Sequence, residues 1–140
     1  MRSPSGKTGL RGDALAVLPG LLAYAALAFW LRDFVTDDAL ITLRYARQWA
    51  FGHGLRWNAG EDPVEGYTNF SHVALGAAAL LAGLPALSAL RAFNVLAGGA
   101  LVIVTYALAL RLFGRRAPAA GAALLVGLHP ALAYLSLIHI

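Results

Sequence analysis

The sequence contains no cysteine and few charged residues: only 13% of its 140 residues are Asp, Glu, Lys or Arg. The absence of cysteine excludes disulfide bonds and thiolate metal sites. Soluble domains carry about 25% charged residues, so this shortage of charge excludes an ordinary soluble domain. Together with 59% hydrophobic residues, it is typical of an integral membrane protein.

The segments without charge are long. Asp, Glu, Lys and Arg are absent from four stretches of 18, 25, 19 and 24 residues, namely residues 14–31, 66–90, 92–110 and 117–140. A helix needs about 20 apolar residues to cross the hydrocarbon core of a bilayer. The net charge of +4 comes from basic residues that flank these stretches, which indicates membrane topology and no nucleic-acid partner. We therefore expect an all-α fold of polytopic membrane helices.

The flanking charges predict an ordered set of segments in the cytoplasmic membrane. In chain order these are a cytoplasmic basic leader (1–13), a first transmembrane helix (14–31), an extracytoplasmic loop (32–90), a second transmembrane helix (91–112), a cytoplasmic turn (113–116) and a third transmembrane helix (117–134). A cleaved signal peptide, with small residues near Ala28 as the cleavage site, is the alternative for the first helix. Small residues at 97–100 and 119–123 suit close helix packing in lipid.

Residues 71–83 form an apolar stretch of only 13 residues inside the loop. If this stretch crossed the bilayer, Arg111, Arg115 and Arg116 would lie outside the cytoplasm, against the positive-inside bias. We therefore expect it to lie at the membrane surface or to re-enter on the same side. The loop holds six of the seven acids against four arginines, so we expect any chemistry there.

The loop opens with an acid pair, Asp37 and Asp38, followed by a pattern that predicts an amphipathic helix as far as Gly52. Its two faces are an apolar stripe of Leu40, Leu43, Ala46 and Ala50 and a second stripe of Asp37, Ile41, Arg44 and Gln48. Two interpretations of the acid pair are open. The acids cap the helix and complement its dipole, or one carboxylate serves as general base for a hydroxyl acceptor.

Several motifs in the loop resemble those of a known family. They are the acid pair, the run Ile-Thr-Leu-Arg-Tyr-Ala, a His-Gly element, an Asn-x-Gly-Glu turn and Val-Glu-Gly-Tyr-Thr-Asn. This set resembles the first external loop of GT-C glycosyltransferases, most closely the actinobacterial arabinofuranosyltransferase-like branch. The resemblance implies a membrane enzyme that moves a sugar, arabinose in that branch, from a polyprenyl-phosphate donor to a hydroxyl of a glycan, lipid or protein acceptor of the cell envelope.

The resemblance also implies residue roles. In this superfamily the first external loop carries the catalytic acid and juxtamembrane helices, which makes Asp37 the first and Asp38 the second candidate for the base. Arg44 or Arg56 would hold the lipid phosphate, or would anchor the loop at the interface. The other expected substrate-binding residues are Tyr45, His53, Glu65, Tyr67, Thr68 and Asn69. For the last four, a turn that caps the next helix is the alternative.

Two questions stay open in the sequence. Some GT-C enzymes use a divalent cation and others need none, and the spacing of His53 and His72 does not indicate a metal site. The final hexapeptide, Leu135 to Ile140, matches the translation of a common sequencing-library adapter. We therefore expect an N-terminal fragment of a longer protein that is inactive alone. A non-catalytic transporter or assembly subunit is the alternative function, although the charge-free stretches contain no acid of the kind that transporters place in the membrane.

Overall fold

A computed structural model describes residues 6–138, with side chains for residues 9–134. Within this range the regular structure is entirely helical and contains no strand. The helices are α1 (Gly6–Trp30), α2 (Asp37–Ala50), α3 (Phe70–Leu81), α4 (Ala86–Phe113), α5 (Arg116–Gly127) and α6 (Pro130–Ile138). The prediction of an all-α fold is confirmed. Residues 1–5 of the predicted leader and the last two residues of the predicted adapter segment lie outside the described residues.

Two of the helices are long and apolar enough to span a membrane: Gly9–Trp30 within α1, and the 28 residues of α4. Large apolar side chains are exposed along both, such as Leu22 at 60% and Leu96 at 73%. A helix satisfies all of its backbone hydrogen bonds internally, so apolar side chains can face hydrocarbon without cost. These exposed surfaces are what a lipid-facing helix requires.

α4 begins at Ala86, five residues before the predicted start at residue 91. Pro85 precedes it directly, and its carbonyl oxygen accepts a hydrogen bond from the backbone N–H of Ala89. Proline fits at a helix start because its missing N–H would have no intrahelical partner there. α3, in contrast, has only 12 residues. At about 1.5 Å per residue it is about 18 Å long, short of a hydrocarbon core of about 30 Å.

The prediction of one continuous helix over residues 117–134 is wrong. α5 ends at Gly127 and α6 begins at Pro130, with Leu128 and His129 between them. Pro130 has no N–H to donate to the carbonyl of Val126, and its ring disfavours the helical conformation of the residue before it. The helix therefore stops and restarts at the proline.

The described residues form two compact units, and the first combines the described part of Met1–Leu31 with Leu96–Ala133. In this unit α1 and α5 pack through small residues: a Cβ added to Gly20 would lie 2.7 Å from the carbonyl oxygen of Ala123, and one added to Gly127 would overlap the carbonyl of Gly20. Ala119 and Ala123 are fully buried. Close packing of the predicted small residues is therefore seen at Ala119 and Ala123, whereas a Cβ at Gly99 or Gly121 would meet open space.

A polar contact joins three helices of this first unit. Arg116 Nε donates to Asp13 Oδ1 at 2.7 Å, and the Tyr106 hydroxyl donates to the same oxygen at 3.0 Å. The hydrogen bond to Asp13 raises the pKa of the Arg116 guanidinium above its ordinary value, so the pair stays charged. The contact brings the N-terminal part of α1, the C-terminal part of α4 and the start of α5 together.

The second unit contains Arg32–Val95 and the described part of Tyr134–Ile140. Here α2 packs against α3, and the buried face of α2 consists of Ala39, Thr42, Tyr45 and Ala46. The predicted apolar stripe matches the buried face in part: Ala46 is buried and Leu43 and Ala50 pack against the core clusters, whereas Leu40 is 56% exposed. A Cβ on Gly76 of α3 would lie 3.0 Å from the Ala46 Cβ. Helices this close have room only for small side chains where they touch.

We expect Gly127→Ala to destabilise the protein, because the added methyl group overlaps the backbone of α1. Overpacking costs about 1–3 kcal/mol, which thermal unfolding in detergent micelles would show as a lower midpoint. Gly121→Ala is the matched control, since nothing lies within 4 Å of a Cβ there. Alanine is about 1 kcal/mol better than glycine inside a helix, so the control should be neutral or stabilising. Equal midpoints for the two variants would contradict the packing of α1 on α5.

Candidate functional site

The acid pair lies in the first turn of α2, accessible to a ligand. Asp37 and Asp38 are both exposed and line an open depression of about 430 Å³ with Phe34, Val35 and Thr36. Thr36 occupies the N-cap position with extended backbone, although its side chain does not make the cap hydrogen bond. Acids in a first turn still complement the helix dipole. The structure is therefore compatible with both interpretations of the pair.

A second depression, of about 540 Å³, runs along the same helix. Its lining combines apolar and cationic side chains from α2 with residues of the loop that follows: Leu40, Leu43, Arg44, Arg47, Gln48, Phe51, His53 and Ala59. Guanidinium groups bind phosphate and carboxylate oxygens with two parallel hydrogen bonds. Apolar walls beside two cations suit an amphipathic anion.

Arg44, which was predicted to bind phosphate, holds the loop in place. Its Nε donates to the carbonyl oxygen of Trp57 at 2.8 Å, its Nη2 donates to Asn58 Oδ1, and its guanidinium carbon lies 4.5 Å from the centre of the Trp57 ring. A guanidinium has five N–H donors, so these contacts leave some of them for a ligand. The cation is thereby held rigidly at the edge of the depression.

Arg47 is the functional candidate that the sequence analysis missed. It is exposed, lines the second depression, and stacks loosely over Phe51 with its guanidinium carbon 5.7 Å from the ring centre. Among the described residues, no hydrogen bond or ion pair engages its N–H groups. The available signal was its position three residues after Arg44, which puts two arginines on adjoining parts of one helix surface.

Asp37 and the two arginines follow one side of α2, whereas Asp38 lies about 100° further round the helix in the same first turn. Asp37, Leu40 and Arg44 are spaced i, i+3 and i+7, so they share one face of the helix. Seven residues at about 1.5 Å each separate Asp37 from Arg44 by about 10 Å along the axis. Side chains in a helix tilt toward its N-terminus, which directs the arginines back toward the acids. The two depressions therefore offer a carboxylate and a cation to one elongated ligand.

Tyr45, expected to contact substrate, is a core residue. It is 1% exposed, and its hydroxyl donates to the carbonyl oxygen of Val64 at 2.7 Å. Its ring meets Tyr67 edge-on with centres 5.1 Å apart. A Cβ on Gly66 would lie 2.8 Å from the Tyr45 hydroxyl oxygen, so the glycine makes room for this contact. Tyr45 and Tyr67 thus fasten the loop to α2.

The remaining predicted residues are spread along the loop. His53 lines the second depression, whereas Arg56 donates from Nη1 to the carbonyl oxygen of Glu61 at 2.8 Å and holds a turn. Asn69 occupies the N-cap position of α3, but its side chain does not make the cap hydrogen bond; its Oδ1 accepts a hydrogen bond from the Ser71 hydroxyl instead. Among the described residues, Glu65, Tyr67, Thr68 and Asn69 are absent from the lining of both depressions. The structure therefore places the acids, Arg44 and His53 at the two depressions along α2. It places Glu65, Tyr67, Thr68 and Asn69 elsewhere.

The described residues contain no group of three or more His, Cys, Asp or Glu side chains that could hold a metal ion. The metal question therefore stays as open as the sequence leaves it. Comparison with models of protein families, with curated proteins and with solved structures found no match. The candidate function is therefore inferred from the loop motifs and from the geometry of α2.

Tyr45→Phe should lower the free energy of unfolding by about 1 kcal/mol, because it removes one hydrogen bond from a part-buried site. The Val64 carbonyl would also lose its partner. Chemical denaturation followed by tryptophan fluorescence measures the change, and Trp57 reports directly because its ring lies 5.9 Å from that of Tyr45. Tyr67→Phe is the control, since no hydrogen bond of its hydroxyl is found among the described residues. A loss of the same size in both variants would contradict the role of the Tyr45 hydroxyl.

Proposed function

We propose that this chain is a GT-C-type membrane glycosyltransferase that takes a sugar from a polyprenyl-phosphate donor. The observation that carries the proposal is one face of α2, where the exposed carboxylate of Asp37, with that of Asp38 beside it in the first turn, is followed by the cationic, partly apolar depression at Arg44 and Arg47. Transfer from a lipid phosphate to a hydroxyl needs a base and a cation at a short distance from each other. The resemblance of the loop motifs to those of GT-C enzymes supports the same conclusion.

The chemistry is a displacement at the anomeric carbon of the sugar. The acceptor hydroxyl oxygen attacks that carbon, and its proton passes to the carboxylate of Asp37 or Asp38. The new glycosidic C–O bond forms as the bond to the lipid phosphate breaks, and the phosphate leaves with the electron pair. One base and an in-line displacement invert the configuration of the sugar. General-base catalysis of this kind contributes about 10²- to 10⁴-fold in rate.

The leaving phosphate would bind in the depression beside α2. Arg47 has unused N–H donors and Arg44 is fixed by the loop, so together they can stabilise the charge that develops on the phosphate oxygens. The exposed side chains of Leu40 and Phe51 offer apolar contact to the first part of the lipid. This assigns to Arg47 the role that the sequence suggested for Arg44 or Arg56.

The proposed site lies outside the cytoplasmic membrane in a multi-pass protein with a cytoplasmic N-terminus. The hydrogen bond between Asp13, near the start of α1, and Tyr106, near the end of α4, supports two crossings in opposite directions. The 12-residue α3 is too short to add a third between them. Arg111 and Arg115 then lie on the same side as the basic leader, in accordance with the positive-inside rule.

Replacing the acids tests the proposal. Asp37→Asn and Asp38→Asn keep the size and polarity of each side chain but remove the basic oxygen, so at least one should lose about 10²-fold or more in sugar transfer. The measurement is transfer of radiolabelled arabinose from polyprenyl-phosphate arabinose, and then of other sugars, in membranes that contain the full protein. Asp33→Asn is the matched control, because this exposed acid lies four residues before Asp37 and pairs with Arg32. Full activity of both test variants would leave the non-catalytic alternative as the better function.

Arg47→Gln should raise the KM for the lipid-phosphate donor about 10- to 100-fold, since a hydrogen bond to a charged group is worth about 1.5–3 kcal/mol. Arg47 is not assigned to the acceptor, so the acceptor KM should change little. Arg111→Gln, in the last turn of α4, controls for the loss of one positive charge. An unchanged donor KM in the Arg47 variant would remove phosphate binding from this depression.

A further inference from the structure

Two adjacent residues of α4 hold the chain on either side of the acid pair. Leu90 and Arg91 lie in the second turn of α4, more than fifty positions after Asp37 and Asp38 in the sequence. Leu90 packs on the helix just after the acids, and Arg91 binds the backbone just before them. The acids themselves are exposed, so their position depends on these flanking contacts.

The contact before the acids is a hydrogen bond. Arg91 Nη2 donates to the carbonyl oxygen of Phe34 at 3.2 Å. Phe34 belongs to the irregular segment between α1 and α2 and lines the acid depression together with Val35. A segment outside regular structure has few backbone hydrogen bonds of its own, so a side-chain donor from another helix restricts it strongly.

The contact after the acids is apolar. Ala39 and Leu90 are both fully buried and form one core cluster, with Leu43, Leu75 and Leu87 packed around it. Ala39 directly follows Asp38, so this cluster fixes the first turn of α2 against α4. Arg91 and Leu90 together therefore determine where the two carboxylates lie.

One nitrogen of the partly buried Arg91 side chain has no hydrogen-bond partner among the described residues. This nitrogen, Nε, is itself buried, and leaving such a donor unsatisfied is unfavourable. An arginine that only anchors a helix at the interface would extend its charge into water. Arg91 instead directs its guanidinium at a backbone carbonyl across the fold.

We propose that Arg91 is a positioning residue that holds the Phe34–Thr36 segment and thereby sets the reach of the Asp37 and Asp38 carboxylates. The inference rests on the proposed function for its effect on catalysis. The effect of Arg91 on the position of the segment does not rest on the proposed function. The effect on position and the effect on catalysis can be measured separately.

The first measurement is the mobility of the segment. The sequence contains no cysteine, so a nitroxide can be attached at one site through Val35→Cys, at a side chain that is 37% exposed. Electron paramagnetic resonance should show a markedly more mobile label when Arg91→Met is added, because methionine keeps the length of the side chain and lacks a donor. The same label at Ala59→Cys, on an exposed loop, should not respond and shows that the fold is intact.

The second measurement is sugar transfer in membranes that contain the full protein. Arg91→Met should lower kcat about 10- to 100-fold, as small misplacements of a catalytic group do, while the KM for polyprenyl-phosphate arabinose stays within about twofold of the parent. Arg91→Lys keeps a charged donor and should restore part of the lost kcat and part of the immobility at residue 35. Arg111→Met, which removes a charge from the same helix, should change neither.

An immobile label in Arg91→Met overturns the inference, whatever the activity. A mobile label with unchanged kcat, in a protein whose Asp37 or Asp38 variants are inactive, overturns the catalytic part. If the variants of both acids stay active, the proposed function fails, and the mobility at residue 35 alone then decides whether Arg91 holds the segment. A kcat loss of equal size in Arg111→Met would assign the effect to charge and also overturn the inference.

Discussion

The close approach of α2 and α3 at Ala46 and Gly76 decides which face of α2 stays open. With a Cβ on Gly76 only 3.0 Å from the Ala46 Cβ, the contact admits small side chains and excludes leucine. Ala39, Thr42 and Ala46 therefore turn inward, and the face that carries Leu40 and Arg44 turns outward. The depression at Arg44 and Arg47 lies along this outward face, so it depends on the glycine at position 76 of α3.

The same principle, close contact through small residues, operates between α1 and α5. Lipid chains are as apolar as leucine, so the hydrophobic effect does not drive membrane helices together. Close backbone contact does, and Gly20 and Gly127 allow it between α1 and α5. The polar contact of Asp13 with Arg116 and Tyr106 joins groups that would be costly in hydrocarbon as single charges. Small residues thus determine the distance between the helices, and this contact fixes how they align along their axes.

Four arginines, namely Arg44, Arg47 and Arg56 of the loop and Arg91 of α4, divide into two kinds. Arg44, Arg56 and Arg91 each donate to a backbone carbonyl, so much of their hydrogen-bonding capacity holds chain segments in place. Arg47 makes no such bond among the described residues and faces a depression. In a site for a lipid phosphate, this arrangement has a physical advantage: the rigid cations define the walls, and the one with free donors meets the ligand without first breaking an internal bond.

The sequence by itself determined the helical class, the two long apolar segments, the amphipathic α2 and the acid pair at its start, because each follows from local composition and from a period of 3.6 residues. It also indicated from length that α3 could not span a bilayer. The sequence did not lead us to predict separate helices before and after Pro130, because the residues on both sides of the break are apolar.

Tertiary structure alone decided the buried face of α2, the burial of Tyr45, the freedom of Arg47 and the contact between Arg91 and Phe34. Arginines have the same intrinsic chemistry at every position in a sequence. The pattern of α2 contains one apolar stripe rich in leucine and another rich in alanine, and either could be the buried one. Which stripe is buried depends on a glycine some thirty residues away, and which arginine is free depends on the carbonyls that the folded loop presents. Such choices are made by distances between segments remote in the chain, and no local pattern encodes them.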